Sequence, residues 1–183
     1  MATVLVPLAQ GCEELEAVTV IDLLRRAGIE VVTASLDGQP VRASRGVTLI
    51  ADTALDPVMD KEFDMIVLPG GSLGADNLDR DPRIRALLVK MAKNNKYTAA
   101  ICAAPKVLGH AELLRGRKAT GYPGVLDTMG LTEVTLSSEA VVKDGKVITS
   151  RGPGTAMDFA LSLIETLLGK AKRDEVETAL VRS

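Results

Sequence analysis

Short stretches in which nearly every residue is apolar, separated by longer amphipathic ones, constrain this chain more than any other feature. Thr3–Leu8, Glu30–Ser35, Phe63–Leu68 and Tyr97–Ile101 read as strands, and an amphipathic run from about Glu13 to Ala27 reads as the helix of a βαβ opening. A strand that is apolar along its length offers no face to water, so the sheet it joins has to be covered on both sides. Asp81-Pro82 supplies a cap and a first-turn proline for a helix reaching about Lys93. Between Glu139 and Ser150, two Val/Ile-rich runs flank Lys143-Asp144-Gly145-Lys146, which predicts a tight hairpin at an antiparallel edge. Thr155 and Asp158 fit a capping box opening a helix to about Leu168; Gly169 stops it, and a last helix spans roughly 172–180. No linker, repeat or low-complexity segment interrupts the pattern. The expected fold is α/β: one domain over 1–183, with a doubly wound, mostly parallel sheet between helical layers.

Charge and composition exclude several classes. The chain has 183 residues with 22 basic and 24 acidic side chains, giving a net charge of -2 without blocks of one sign, so no dedicated nucleic-acid site is expected. Met1–Pro7 lacks a basic opening and a cleavage signal, and no apolar run approaches the roughly 20 residues that span a bilayer. The expectation is a cytoplasmic protein with no membrane partner. Two cysteines and one histidine make neither a disulfide scaffold nor a structural zinc site, so no metal is expected.

In sheets of this kind ligands gather beyond the carboxyl ends of the strands. Three loops fall there: Ala9-Gln10-Gly11-Cys12-Glu13, Pro69-Gly70-Gly71-Ser72 and Cys102-Ala103-Ala104. Cys102 ends a strand, and the stretch after it reads as a helix. A thiol at that corner faces backbone N–H groups that favour the thiolate, so a lowered pKa and a nucleophilic role are expected. A free cysteine in such a place also fits a small buried apolar residue. On the wheel of the first helix, Val20, Leu23, Leu24 and Ala27 form an apolar stripe, and Glu16 projects between Leu23 and Val20 rather than among the other charges. A carboxyl buried there has a raised pKa and can donate a hydrogen bond to a thiolate, or it can serve as a partner for backbone groups or an arginine.

Other residues near these loops have candidate roles. Gly70 and Gly71 permit close backbone approach and N–H groups converging on an anion, or simply make a turn. Arg151, in the rigid Ser150–Thr155 turn, and Arg45, in Ala43-Ser44-Arg45-Gly46, can each attract a carboxylate or phosphate, or remain solvated. Cys12 is a candidate resolving thiol or a buried spectator. His110 lies eight residues beyond Cys102, about 12 Å along a continuous helix, too far for a Cys–His dyad.

Gly11-Cys12-Glu13-Glu14-Leu15-Glu16, Val67-Leu68-Pro69-Gly70-Gly71, Ala99–Pro105 and Thr149–Thr155 together resemble the DJ-1/ThiJ/PfpI superfamily, in the branch of the parkinsonism-associated deglycase and its bacterial relatives. The resemblance spans nearly the whole chain. It implies a flavodoxin-like α/β sandwich, usually a homodimer, with Cys102 as an oxidation-sensitive nucleophile, Glu16 as its protonated partner, and the N–H groups of Gly71 and Ala103 as an oxyanion pocket. It also implies cofactor-independent glyoxalase or deglycase activity on methylglyoxal, glyoxal or their protein and nucleotide adducts, or a redox-responsive chaperone or sensor role without dedicated catalysis. Two departures stand out. Tyr122 occupies a position where many relatives carry histidine, which makes it a candidate accessory residue, and Ala103 stands where the protease-like branch has histidine.

Overall fold

The computed structural model describes residues 1–182. The chain opens with β1 (Thr3–Leu8), α1 (Glu14–Arg26) and β2 (Glu30–Ser35), followed by a small antiparallel pair, β3 (Val41–Arg42) and β4 (Thr48–Leu49), and by β5 (Thr53–Ala54). Next come β6 (Met65–Leu68), α2 (Ser72–Arg80), α3 (Pro82–Lys93), β7 (Tyr97–Ile101) and α4 (Pro105–His110). A short parallel pair, β8 (Lys118–Ala119) and β9 (Thr135–Leu136), precedes the hairpin β10 (Val141–Asp144) and β11 (Val147–Ser150), and α5 (Ala156–Leu168) and α6 (Lys170–Ala179) complete the described chain. The main sheet runs β10-β11-β7-β6-β1-β2-β5, parallel at every pairing except β10 with β11.

The period-two alternation of a strand divides its apolar side chains between two cores. Val4, Val6, Met65 and Val67 face a layer formed by α1 and α5, where Val20, Leu24, Phe159 and Ile164 are buried. Leu5, Ile66 and Leu68 face the opposite layer, against Ile84, Leu88, Val107 and Leu108. Every residue of β6 is buried, as the two-sided covering requires. Among the described residues, no helix is long and apolar enough to cross a membrane.

Besides the short strands β3, β4, β5, β8 and β9, which the sequence pattern does not mark, the structure differs from the sequence reading in three places. A helix, α2, starts directly after Gly71, at the end of the Pro69–Ser72 loop and through a stretch left unassigned by the sequence pattern; it is short and carries Gly74, Asp76 and Asn77, which favour the helix weakly. The expected capping box at Thr155 and Asp158 is absent, because the Thr155 hydroxyl faces back into its own turn, accepting from the Gly152 N–H at 3.1 Å and meeting Ser150 Oγ at 2.7 Å. The last helix begins at Lys170, two residues early.

Register decides what the sheet can assemble. β7 pairs with β6 through Ala100 and Leu68, and with β11 through Ile101 and Ser150. The carboxyl ends of three adjacent parallel strands are therefore level, and Pro69–Gly71, Cys102 and Arg151 leave the sheet side by side.

Candidate active site

Cys102 adopts φ +64°, left-handed backbone that a side chain with a Cβ rarely takes. Such a conformation costs on the order of 1–3 kcal/mol and persists only where neighbours over-determine it. Here they do. The Cys102 N–H donates to the Ser150 carbonyl at 3.0 Å, and its own carbonyl accepts from the Tyr122 N–H at 2.8 Å. Cys102 is almost wholly buried, and the backbone N–H groups of Gly71 and Ala103 act on its thiol to favour the thiolate.

Glu16 reaches the same point from the first turn of α1 and is completely buried. One oxygen, Oε2, accepts from the Gly70 N–H at 2.8 Å. The other, Oε1, is buried without a hydrogen-bond partner; the carboxyl and the Cys102 thiol each shift the other's proton affinity. Gly70 is the space in which acid and sulfur meet: a Cβ there would lie 2.5 Å from Glu16 Oε2 and 2.6 Å from Cys102 Cβ. Gly71 combines φ +85° with a close approach in which a Cβ would stand 2.5 Å from the Gly11 carbonyl oxygen.

Electrostatics correct the expectation of a simply acidified thiol. Burial, then the charge of ionised Glu16 and the hydrogen bond to it, push the Cys102 thiol up to about 12, against the opposing pull of the Gly71 and Ala103 N–H groups. Burial raises Glu16 to about 7, offset in part by hydrogen bonds from Cys102 and Gly70. Two such groups in contact titrate as a pair. The pair gives up one proton near neutrality and holds the other, because a second negative charge in the same buried volume is repelled. With the retained proton on Glu16, the carboxyl donates to sulfur and the Gly71 and Ala103 N–H groups face a thiolate.

The remaining candidates are distributed around this centre. The Gly70 N–H donates to Glu16 Oε2. Cys12 is buried, and burial followed by the charges of Glu14 and Glu13 raises its thiol to about 12, which suits an unreactive core position. Arg45 is exposed beside a cleft of about 550 Å³ that also includes Gly11, Glu13, Arg42 and Gly71; its backbone N–H donates to Glu14. Arg151 lines a different cleft, of about 370 Å³, together with Tyr122. Tyr122 is half exposed, its ring lying beside Gly152. His110 is paired with Asp79 at 2.8 Å, on the helix pair α2 and α4. Sequence reasoning missed Ser150, whose carbonyl holds the strained elbow; only the neighbouring strand's register identifies it.

An α/β sheet carrying a strained cysteine elbow, with a buried acid and two backbone donors around the sulfur, defines a class of cysteine-centred proteins. This chain belongs to the DJ-1/PfpI family, whose pattern matches residues 2–166. It is 44% identical to Protein DJ-1 homolog A of Arabidopsis thaliana over 181 residues, 98% of this chain. It spans less than half the length of the two Arabidopsis relatives, 46% of homolog A and 41% of homolog B. The relative named glutathione-independent glyoxalase DJR-1.2 in Caenorhabditis elegans is 37% identical over 175 residues, 96% of this chain and 92% of that protein. The crystal structure of Drosophila melanogaster DJ-1beta superposes with a TM-score of 0.94 at 41% identity, covering 100% of this chain and 98% of that one.

Two outcomes follow from the shared proton. In Glu16→Gln the amide still donates to sulfur, whereas Glu16→Leu leaves only desolvation. Thiolate absorbance should therefore place the Cys102 titration about one pH unit lower in Glu16→Gln than in Glu16→Leu; equal midpoints would remove the hydrogen bond from the account. Folding raises Glu16 from 4.5 to about 7, so the stability conferred by its neutral form is complete below pH 4.5 and is lost as pH rises through 7. Relative to Glu16→Gln, the wild-type unfolding free energy should fall by about 3 kcal/mol across that window in urea titrations.

Proposed function

We propose that the protein is a cofactor-independent, cysteine-dependent glyoxalase, with deglycase action on the adducts of the same aldehydes. The observation that supports this most is the buried Glu16 carboxyl brought up to the left-handed Cys102 at Gly70. The Cys102 thiolate adds to the aldehyde carbon of methylglyoxal, and the new alkoxide takes the Glu16 proton, giving a hemithioacetal. Glu16, now a carboxylate, removes the hydrogen from that carbon and returns it to the adjacent one. The first carbon is oxidised and the second reduced, so no external electron carrier enters, and a thioester of lactate results. Water hydrolyses it to lactate and the free thiol.

The environment suits each step. The Gly71 and Ala103 N–H groups that face the sulfur lie next to the oxygen that becomes negative when a carbonyl is attacked there. A carboxyl poised near 7 exchanges protons in both directions at neutral pH. Glyoxal follows the same path to glycolate. From a hemiaminal adduct, the thiolate displaces the amine from the same carbon, the C–N bond breaking as the amine takes the Glu16 proton, and the same hemithioacetal results.

The same reading includes a homodimer. Leu15 and Val18 on α1 and Met157 on the adjoining α5 are 50%, 45% and 44% exposed, an apolar face that a second copy would cover. Sedimentation equilibrium should give twice the chain mass, and a monomer at micromolar concentration would refute this part.

For catalysis, lactate release from methylglyoxal by purified protein is the direct measurement. Cys102→Ser should lose at least about a thousandfold in kcat, since a hydroxyl there cannot ionise. Glu16→Gln should lose about a hundredfold or more, because its amide can orient the sulfur but cannot carry a proton between carbons. Undiminished turnover in either variant would end the assignment.

A further inference from the structure

Arg151 is a cation that the catalytic scheme does not use, and its position is set by the sheet. Ser150 pairs with Ile101 in the parallel register of β11 and β7, so Arg151 leaves the sheet beside Cys102. The connection is direct, since the Ser150 carbonyl accepts from the Cys102 N–H. On the same side, the Cys102 carbonyl holds the Tyr122 N–H, and a Cβ on Gly121 would lie 3.3 Å from that carbonyl oxygen. Tyr122, Gly121 and Arg151 line one cleft of about 370 Å³, with Ser137, Ser138 and Thr120 among its other walls.

The chemistry of this cleft is specific. Arg151 is its only lining cation among the described residues, and its guanidinium is paired with no carboxylate; Nη1 donates to the Ser138 carbonyl at 3.2 Å, which steadies the group and leaves other N–H donors free. Asp127, the lining carboxylate, accepts from the Gly124 N–H at 2.9 Å. The Thr120 hydroxyl oxygen is buried without a partner. A planar guanidinium beside free hydroxyls and an aromatic edge recognises a carboxylate through paired N–H donors. We propose that this cleft is a subsite for the carboxylate arm of the substrate, so that the preferred adducts are those of methylglyoxal with small carboxylate-bearing amines such as free amino acids.

This rests on the reading of Cys102 as the reacting atom, and the test is chosen to register without turnover. N-(iodoacetyl)glycine and N-(iodoacetyl)glycinamide differ only in the carboxylate. Each alkylates Cys102 by displacement of iodide from carbon, with the thiol proton passing to buffer, and intact mass gives the rate. The subsite predicts that wild-type protein reacts about tenfold faster with the carboxylate probe, the discrimination of roughly one exposed charge-assisted contact. Arg151→Gln should bring the ratio of the two rates to about one, and Arg151→Lys should restore part of it. On wild-type protein alone, N-acetylglycine should slow alkylation while N-acetylglycinamide does not. A wild-type ratio near one, or a ratio unchanged in Arg151→Gln, would overturn the subsite. Protection by inorganic phosphate without protection by N-acetylglycine would overturn its assignment to a carboxylate. Loss of lactate formation with an intact rate ratio would instead count against the catalytic reading alone.

Discussion

The contact between the Glu16 carboxyl and the Cys102 sulfur, with the Gly70 N–H on the other carboxyl oxygen, is the interaction around which the molecule is arranged. A carboxylate and a thiolate cannot both be charged in a volume that excludes water, so one proton stays with the pair. In the proposed scheme that retained proton is also the chemical reagent. It also explains why Gly70 has no side chain: any Cβ would occupy the place where the two groups meet.

Holding that contact requires strain, and the sheet supplies the restraint. A left-handed cysteine is unfavourable on its own, yet its N–H and carbonyl are both bonded to neighbouring segments, Ser150 on one side and Tyr122 on the other. These bonds exist because three parallel strands end level with one another. The two helical layers then fix the depth of the elbow. α1 brings Glu16 in from one face, and α4, starting just after the elbow, closes the other. The acid thus comes from the first βαβ unit and the nucleophile from a strand two positions across the sheet.

Charge around the elbow is divided rather than concentrated. Arg45 and Arg151 line separate clefts: the first also takes in Gly71, whose N–H acts on the thiol, and the second adjoins the segments bonded to the Cys102 backbone N–H and carbonyl. Tyr122 has a part in that division: a tyrosine offers an aromatic edge and a hydroxyl but, unlike an imidazole, no base at neutral pH. Proton transfer in the proposed scheme therefore stays with Glu16, while the Tyr122 side of the elbow is left for binding.

Local pattern was enough for much of this. Wholly apolar strands implied a sheet covered on both faces, Asp-Gly marked the β10–β11 hairpin, and the misplaced charge at Glu16 in an apolar helical stripe marked a buried acid, because each of these signals is carried by residues close together in the chain. What depends on distant segments was not legible there. α2 was hidden by weak helix formers, and the Thr155 hydroxyl turned to Ser150 instead of capping its helix. The upward Cys102 shift depends first on how deeply the fold buries the thiol and then on the approach of Glu16 across 86 positions of sequence, and the Gly70 N–H bond to Glu16 depends on the same approach. Sequence by itself determined which residues could do the chemistry; tertiary structure alone decided which of them share a proton, because electrostatic coupling follows distance and burial in space rather than separation along the chain.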